Sequence, residues 1–90
     1  MNFADNKPLR FARQYKLQWE PAQESYVLLY PEGLVKLAGS AGEILKRVDG
    51  NATALDIVAS LETAFPGADL RQDVLDFLAH TCAKGWINHE

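Results

Sequence analysis

The first clear pattern along the chain is an alternation of apolar and polar residues over positions 15–20. A period of two is typical of a β-strand with one face against a core and the other in water. Pro21 then breaks the pattern, because proline cannot donate to a central ladder. Apolar and aromatic residues fill 26–30, and the YPEG turn leads into 34–38. The pattern predicts a three-stranded antiparallel meander with its third strand at an edge.

From residue 40 onward the spacing of apolar residues becomes helical. Ser40 and Glu43 have the spacing of a capping box and predict the start of a first short helix. Thr53 and Asp56 repeat that spacing before a second apolar series. The Pro-Gly pair at 66–67 is expected to stop this second helix.

A third helix is predicted after Asp69, which has Gln72 at the reciprocal capping position. Gly85 supplies the left-handed residue that ends it. Strands followed by three short helices indicate an α+β protein, with the arrangement of a winged helix-turn-helix. That architecture occurs in DNA-binding proteins and in others, so the fold alone does not assign a function.

Length and composition indicate one globular domain. The 90 residues are 48% hydrophobic and 23% charged, as in ordinary folded proteins. We expect residues 1–8 to form a flexible tail and 9–90 to form the domain. A single cysteine forms no internal disulfide, and neither a signal-like segment nor a membrane span is evident. These features predict a cytoplasmic protein with no membrane partner.

The residue types that usually carry chemistry do not assemble into a site in the sequence. His80, Cys82 and His89 lack the paired spacing of a zinc site. Two helical positions separate His80 from Cys82, so a base and a nucleophile there would point in different directions. We therefore predict no catalytic residue, no metal and no cofactor, and we expect a protein that is not an enzyme.

Acidic residues make nucleic-acid binding a weak alternative. The net charge is −3, and Asp69, Asp73 and Asp76 share one stripe of the third predicted helix. That stripe fits a solvated face that complements the helix dipole. Phosphate contacts dominate DNA affinity, so an acidic helix argues against DNA. Four aromatic residues of the sheet could stack on bases, but core packing is their more ordinary use: Tyr15, Trp19, Tyr26 and Tyr30.

Two apolar features exceed the needs of a minimal fold. The predicted edge strand 34–38 carries Lys36 as its one charge, whereas native proteins usually blunt such edges. On the third helix, the apolar stripe that could serve the core consists of Leu70, Val74, Phe77 and Thr81. A second apolar flank widens this stripe: Leu75, Leu78 and Cys82. An open strand beside an apolar helix flank forms a groove for an extended peptide. The tail or a second copy of the chain could cover the edge instead, so a homodimer remains an alternative.

Four stretches of the sequence are similar to a known family: YKLQWEPAQESYVLLYPEGLVKL, SAGEILKRVDG, DVLDFL and KGWI. They resemble the PqqD family of pyrroloquinoline quinone (PQQ) biosynthesis over residues 8–87. The resemblance implies a peptide chaperone with a winged-helix fold, akin to the recognition elements of ribosomally made, modified peptides. It further implies binding of the precursor peptide PqqA and its presentation to the radical SAM enzyme PqqE, which cross-links a glutamate to a tyrosine.

The resemblance also implies where the peptide binds. In the family the peptide is thought to add to the third strand and lie against the third helix. On this chain the strand positions are Leu34, Val35, Lys36, Leu37 and Ala38. The helix positions, chosen from the helical wheel, are Arg71, Val74, Leu75 and Leu78. A homodimeric winged-helix protein and a DNA-binding protein are the alternatives.

Overall fold

The computed structural model describes residues 4–37 and 39–89. Within them the elements are β1 Leu9–Phe11, β2 Lys16–Glu20, β3 Ser25–Tyr30, β4 Gly33–Leu37, α1 Ser40–Leu45, α2 Ala54–Ala64, α3 Arg71–Ala83 and β5 Ile87–His89. The predicted order of a three-stranded sheet followed by three helices is confirmed. The strands β1 and β5 were not predicted.

The main sheet is an antiparallel meander in the order β2-β3-β4. Tyr30 pairs with Gly33, so a two-residue loop joins β3 to β4. Leu28 lies at the centre of the sheet, opposite both Leu17 and Val35, and none of its surface is exposed. The central strand therefore anchors the sheet in the core, and β4 lies at an edge as the sequence predicts.

The helices cover the face of the sheet that carries Leu28. Close approach of α1 to the sheet depends on Gly42, because a Cβ there would lie 3.0 Å from Cδ2 of Tyr26. The core side chains with almost no exposed surface come from strands and helices alike: Leu9, Leu28, Leu45, Ile57, Leu78, Thr81 and Ile87. No described helix has the length and hydropathy that a membrane crossing requires.

A second, two-stranded sheet joins the two ends of the described chain, with β1 antiparallel to β5. Leu9 and Ile87 point from this sheet into the core. The main-chain N–H of Ala12 donates to the carbonyl of Trp86 at 2.8 Å and extends the pairing. Within the expected tail, the Asp5 carbonyl accepts a hydrogen bond from the Leu55 N–H at 3.2 Å.

The predicted helix caps are partly confirmed. Thr53 and Asp56 form the expected capping box at the start of α2, each side chain bonding the other's main-chain N–H. The other two predicted caps are wrong. Ser40 is already the first residue of α1, and the N-cap of α3 is Leu70, which leaves Asp69 outside the helix. Neither N-terminus has a side-chain cap bond.

Candidate functional site

The outer edge of β4 presents main-chain groups that could bond another strand. Among the described residues, β4 pairs with β3 alone. The pair that closes the two-residue loop is hydrogen-bonded, and bonded pairs alternate along an antiparallel ladder. Val35 and Leu37 therefore direct their N–H and C=O groups toward β3. Leu34 and Lys36 direct theirs away from the sheet.

Side chains of β4 alternate in the same way. Leu37 is 6% exposed and Val35 is half-buried, and both pack on the core side. The Leu37 side chain thus packs in the core, and its contact with the peptide stays a prediction. On the other face, Leu34 is 53% exposed and Lys36 is also exposed. Ala38, the last predicted strand residue, lies outside the described residues.

A groove of about 730 Å³ continues from the end of β4 and runs between α1 and α3. It begins at Gly39 and Ser40, directly after the strand. Its apolar lining comes from all three helices and the segment that joins α2 to α3: Ala41, Ile44, Leu61, Phe65, Ala68, Leu70, Val74 and Phe77. Phe65 is 45% exposed and adds accessible aromatic surface to this lining. The groove could accommodate apolar side chains of a bound peptide.

The predicted binding face of α3 meets this groove at one residue, Val74. Leu78 has no exposed surface and packs in the core, and its contact with the peptide stays a prediction. Leu75 is half-buried against the core, and Arg71 is exposed. Neither of these two lines the groove.

The residues that sequence reasoning missed lie on the opposite flank of α3. Leu70, Asp73 and Phe77 line the groove together with Val74. Leu70 and Phe77 are seven positions apart, a spacing that places them on one stripe, and the sequence analysis assigned that stripe to the core. Both residues are only partly buried against the core, and the sequence pattern alone could not show this.

Carboxylates stand at the rim of the groove. Glu43 forms ion pairs with Lys46 at 3.3 Å and with Arg47 at 3.2 Å. The hydrogen bond from Arg47 is the main reason that the pKa of Glu43 lies below its ordinary value. Arg47, in the turn after α1, also donates to the Ser60 hydroxyl at 2.9 Å, which ties that turn to α2. Lys46 and Arg47 thus balance the charge of Glu43, whereas Asp73 is exposed on the opposite wall and can attract a cationic group of the ligand.

The cysteine and the two histidines, which the sequence analysis predicted to have no chemical role, lie in different environments. Cys82 is 4% exposed, and burial raises the pKa of its thiol. His80 is exposed, and the His89 Nε2 accepts a hydrogen bond from the Ala4 N–H at 3.0 Å. Within the described residues, no group of three or more His, Cys, Asp or Glu side chains is arranged to hold a metal ion. The interactions that the site offers are main-chain hydrogen bonding and apolar packing.

Comparison with known proteins identifies the family. The model of the family described as "Coenzyme PQQ synthesis protein D (PqqD)" matches residues 25–87. A PqqA binding protein of Acinetobacter baylyi is 51% identical over 78 residues, covering 86% of this chain and 79% of that protein. The PqqA binding protein of Pseudomonas aeruginosa PAO1 is 49% identical over 84 residues, covering 92% and 90% of the two chains.

A solved structure matches nearly the whole chain. The solution NMR structure of the PqqD truncation of Methylobacterium extorquens PqqCD superposes with a TM-score of 0.77 at 27% identity. The match covers 98% of this chain and 96% of that one, which is described as a functional, stand-alone recognition element for ribosomally synthesized and modified peptides. These likenesses confirm the predicted α+β fold, and they confirm a recognition protein rather than an enzyme. This chain belongs to the PqqD family.

Proposed function

We propose that this protein binds the precursor peptide PqqA in PQQ biosynthesis and that the peptide adds as a strand to the outer edge of β4. The relatives named PqqA binding protein support the choice of ligand. The observation that carries the binding mode is the orientation of Leu34 and Lys36, whose main-chain groups point away from the sheet. Strand addition uses such groups for affinity and side-chain pockets for specificity.

Side chains of the added strand would alternate between the two faces of the sheet. Those on the outer face would lie near the exposed Leu34. Those on the helical face would enter the groove and contact Leu70 and Phe77. An apolar residue with a basic neighbour fits this groove, because its lining is mostly apolar and Asp73 is exposed on its wall.

Main-chain bonds alone would give weak binding. Each net hydrogen bond contributes roughly 0.5–1.5 kcal/mol, and Leu34 and Lys36 together offer two N–H and two C=O groups. Ordering an extended peptide costs about 1–2 kcal/mol for each residue that it fixes. The groove must therefore supply most of the net affinity through buried apolar area.

We further propose that the bound peptide is presented to the radical SAM enzyme PqqE in the cytoplasm, where a glutamate and a tyrosine of the peptide are cross-linked. This step rests on the resemblance of the chain to the PqqD family. Strand addition supports it, because an edge-bound peptide keeps the segments outside the groove accessible to an enzyme.

The test is an NMR titration of isotope-labelled protein with synthetic PqqA. Strand addition predicts the largest shift changes at Leu34 and Lys36, with a second set at Leu70, Asp73 and Phe77. Changes confined to β1 and β5, or no changes at all, would contradict the binding mode.

Self-pairing through β4 is the second candidate, because the same open edge would suit a second copy of the chain. Light scattering over a dilution series distinguishes the two. An obligate dimer keeps its doubled mass on dilution. A protein that reserves its edge for the peptide is monomeric at low concentration.

A further inference from the structure

Charge is distributed unevenly along the chain. Four of the nine Lys and Arg residues fall between Lys7 and Lys16, and none of the twelve acidic residues does. The remaining chain therefore has five basic and twelve acidic residues. A basic segment on an otherwise acidic protein creates a local field that the small net charge of −3 conceals.

The basic side chains of this segment are all exposed: Lys7, Arg10, Arg13 and Lys16. Arg10 and Arg13 line one surface, here named the basic end. Arg10 lies on β1, opposite the exposed Asn88 of β5. Arg13 lies in the turn between β1 and β2, where the Tyr15 N–H donates to the Ala12 carbonyl at 3.0 Å. The segment is thus held by two elements and is not a loose charged tail.

A shallow groove of about 430 Å³ crosses the basic end and is lined by Arg10, Phe11, Arg13 and Asn88. Phe11 is half-buried against the core and provides an apolar surface between the two guanidinium-bearing residues. Arginine binds carboxylates through two parallel hydrogen bonds, and its fork geometry makes the contact directional. Asn88 adds an amide that can donate and accept. The chemistry fits an acidic segment that carries an apolar side chain.

We infer that the basic end is the docking surface for an acidic segment of the enzyme that receives the peptide. This inference rests on the proposed presentation of the peptide to PqqE. The basic end is built from β1, β5 and the turn before β2, whereas the proposed peptide site is built from β4, α1 and α3. Because the two surfaces use different elements, the protein can hold the enzyme and the peptide at the same time.

The two surfaces also differ in electrostatic character. Lys46 and Arg47 balance the charge of Glu43 at the peptide groove and Asp73 adds a negative charge there, whereas Arg10 and Arg13 line the basic end. Complementary charge raises association rates and suppresses wrong pairings. A partner with an acidic contact surface is therefore attracted to the basic end rather than to the peptide groove. Nucleic acid fits less well, because the acidic remainder of the chain repels phosphates.

The experiment measures binding of purified PqqE, first without peptide and then with synthetic PqqA, to variants of the basic end. Arg13→Glu changes an exposed turn residue, and Arg10→Glu/Arg13→Glu reverses both charges. The matched control, Arg10→Lys/Arg13→Lys, keeps the charge and removes the fork. Circular dichroism and thermal unfolding establish that each variant is folded.

Docking at the basic end predicts that the double Glu variant binds PqqE at least about tenfold more weakly, with a smaller loss for Arg13→Glu and for the Lys control. Rising salt should weaken PqqE binding by the unaltered protein. The affinity of the variants for PqqA should equal that of the unaltered protein. If the unaltered protein itself fails to bind PqqA, that result contradicts the proposed function and not the docking surface.

Three results would overturn the inference. The first is that the unaltered protein and the double Glu variant bind PqqE equally well, or that neither of them binds it. The second is a loss of PqqA affinity that parallels the loss of PqqE affinity, which would assign the basic end to the peptide. The third is competition by mixed-sequence DNA for the basic end at physiological salt, which would assign it to nucleic acid.

Discussion

The two edges of the main sheet differ in how they meet solvent. On β2, Lys16 and Glu20 place charges at both ends of the strand, and Pro21 follows directly. On β4, Lys36 is the one charged residue, and Leu34 leaves 53% of its side chain exposed. Charges and proline are the usual means by which proteins protect an edge from other strands. By this measure β2 is a protected edge and β4 is an open one.

A second contrast concerns the large exposed side chains on these edges. Trp19 on β2 is 47% exposed, but its ring packs edge-on against Tyr26 with a centroid distance of 4.9 Å. Leu34 pairs across the strand with the half-buried Leu29 on the outer face of the sheet. The tryptophan has an evident intramolecular role, and the leucine contributes an apolar surface beside unpaired main-chain groups. The comparison supports the proposal that the peptide binds at β4 rather than at β2.

The largest expected effect is a difference in stability between proline substitutions at two neighbouring residues of β4. Val35→Pro removes an N–H that bonds β3, so we expect unfolding to become easier by about 2–4 kcal/mol. Lys36→Pro removes an outward N–H, so stability should fall by less than about 1 kcal/mol while PqqA binding weakens about tenfold or more. Chemical denaturation and calorimetric titration measure the two effects. Equal stability losses would show that the assigned ladder alternation is wrong.

The next prediction gives β4 the charge that protects β2. Leu34→Glu places a carboxylate on the open edge without disturbing the core, because the side chain is already more than half exposed. We expect about tenfold weaker PqqA binding and a stability change within about 0.5 kcal/mol. Gln18→Lys on β2 is the matched control and should leave affinity unchanged. Equal losses of PqqA affinity in the two variants would contradict the assignment of β4, rather than β2, as the binding edge.

A third prediction tests which flank of α3 lies next to the open edge. Phe77→Ala removes an aromatic side chain from the groove and should weaken PqqA binding by about fivefold to tenfold. Leu75→Ala truncates a half-buried residue outside the groove and should leave binding unchanged in the folded protein. Both substitutions should lower the melting temperature, so binding is measured well below it. A loss confined to Leu75→Ala would favour the flank chosen from the sequence.

The smallest expected effect concerns pH at the rim of the groove. The folded state lowers the pKa of Glu43 from its ordinary value of 4.5, chiefly through the Arg47 hydrogen bond. The stabilisation is therefore present above pH 4.5 and is lost as the pH falls through the lower folded pKa. The Glu43 side chain is 36% exposed, so solvent screening keeps the effect small. In the Glu43→Gln variant, the melting temperature should therefore fall slightly less steeply with decreasing pH than in the unaltered protein. An identical dependence of melting temperature on pH would contradict a stabilising role for the ion pairs.

Local pattern and turn chemistry were sufficient to predict the meander. The alternation over 15–20, the apolar run 26–30 and the YPEG turn all act over a few residues, and the structure confirms the strands that they imply. The strands β1 and β5 were missed because each has three residues, too few to display a period. Their partners also lie at opposite ends of the sequence, so only the folded chain brings them together.

The sequence pattern was sufficient to predict the edge position of β4, but it did not show which flank of α3 lines the groove. A helical wheel gives the width of an apolar arc, but the rotation of the helix against its neighbours decides which flank stays accessible. Contacts of α3 with α2 and β5 bury Leu78 and leave Phe77 at the groove. Those contacts are set by distant segments, so the sequence pattern of the helix could not reveal them.

The most direct test of the open edge is amide hydrogen exchange at individual residues, measured with and without saturating PqqA. Strand addition predicts that Leu34 and Lys36 exchange rapidly in the free protein and become protected when the peptide binds. The amide of Val35 is already bonded to β3 and should change little. Unchanged exchange at Leu34 and Lys36 with bound peptide, or new protection at Leu17 and Trp19 on β2 instead, would contradict the account.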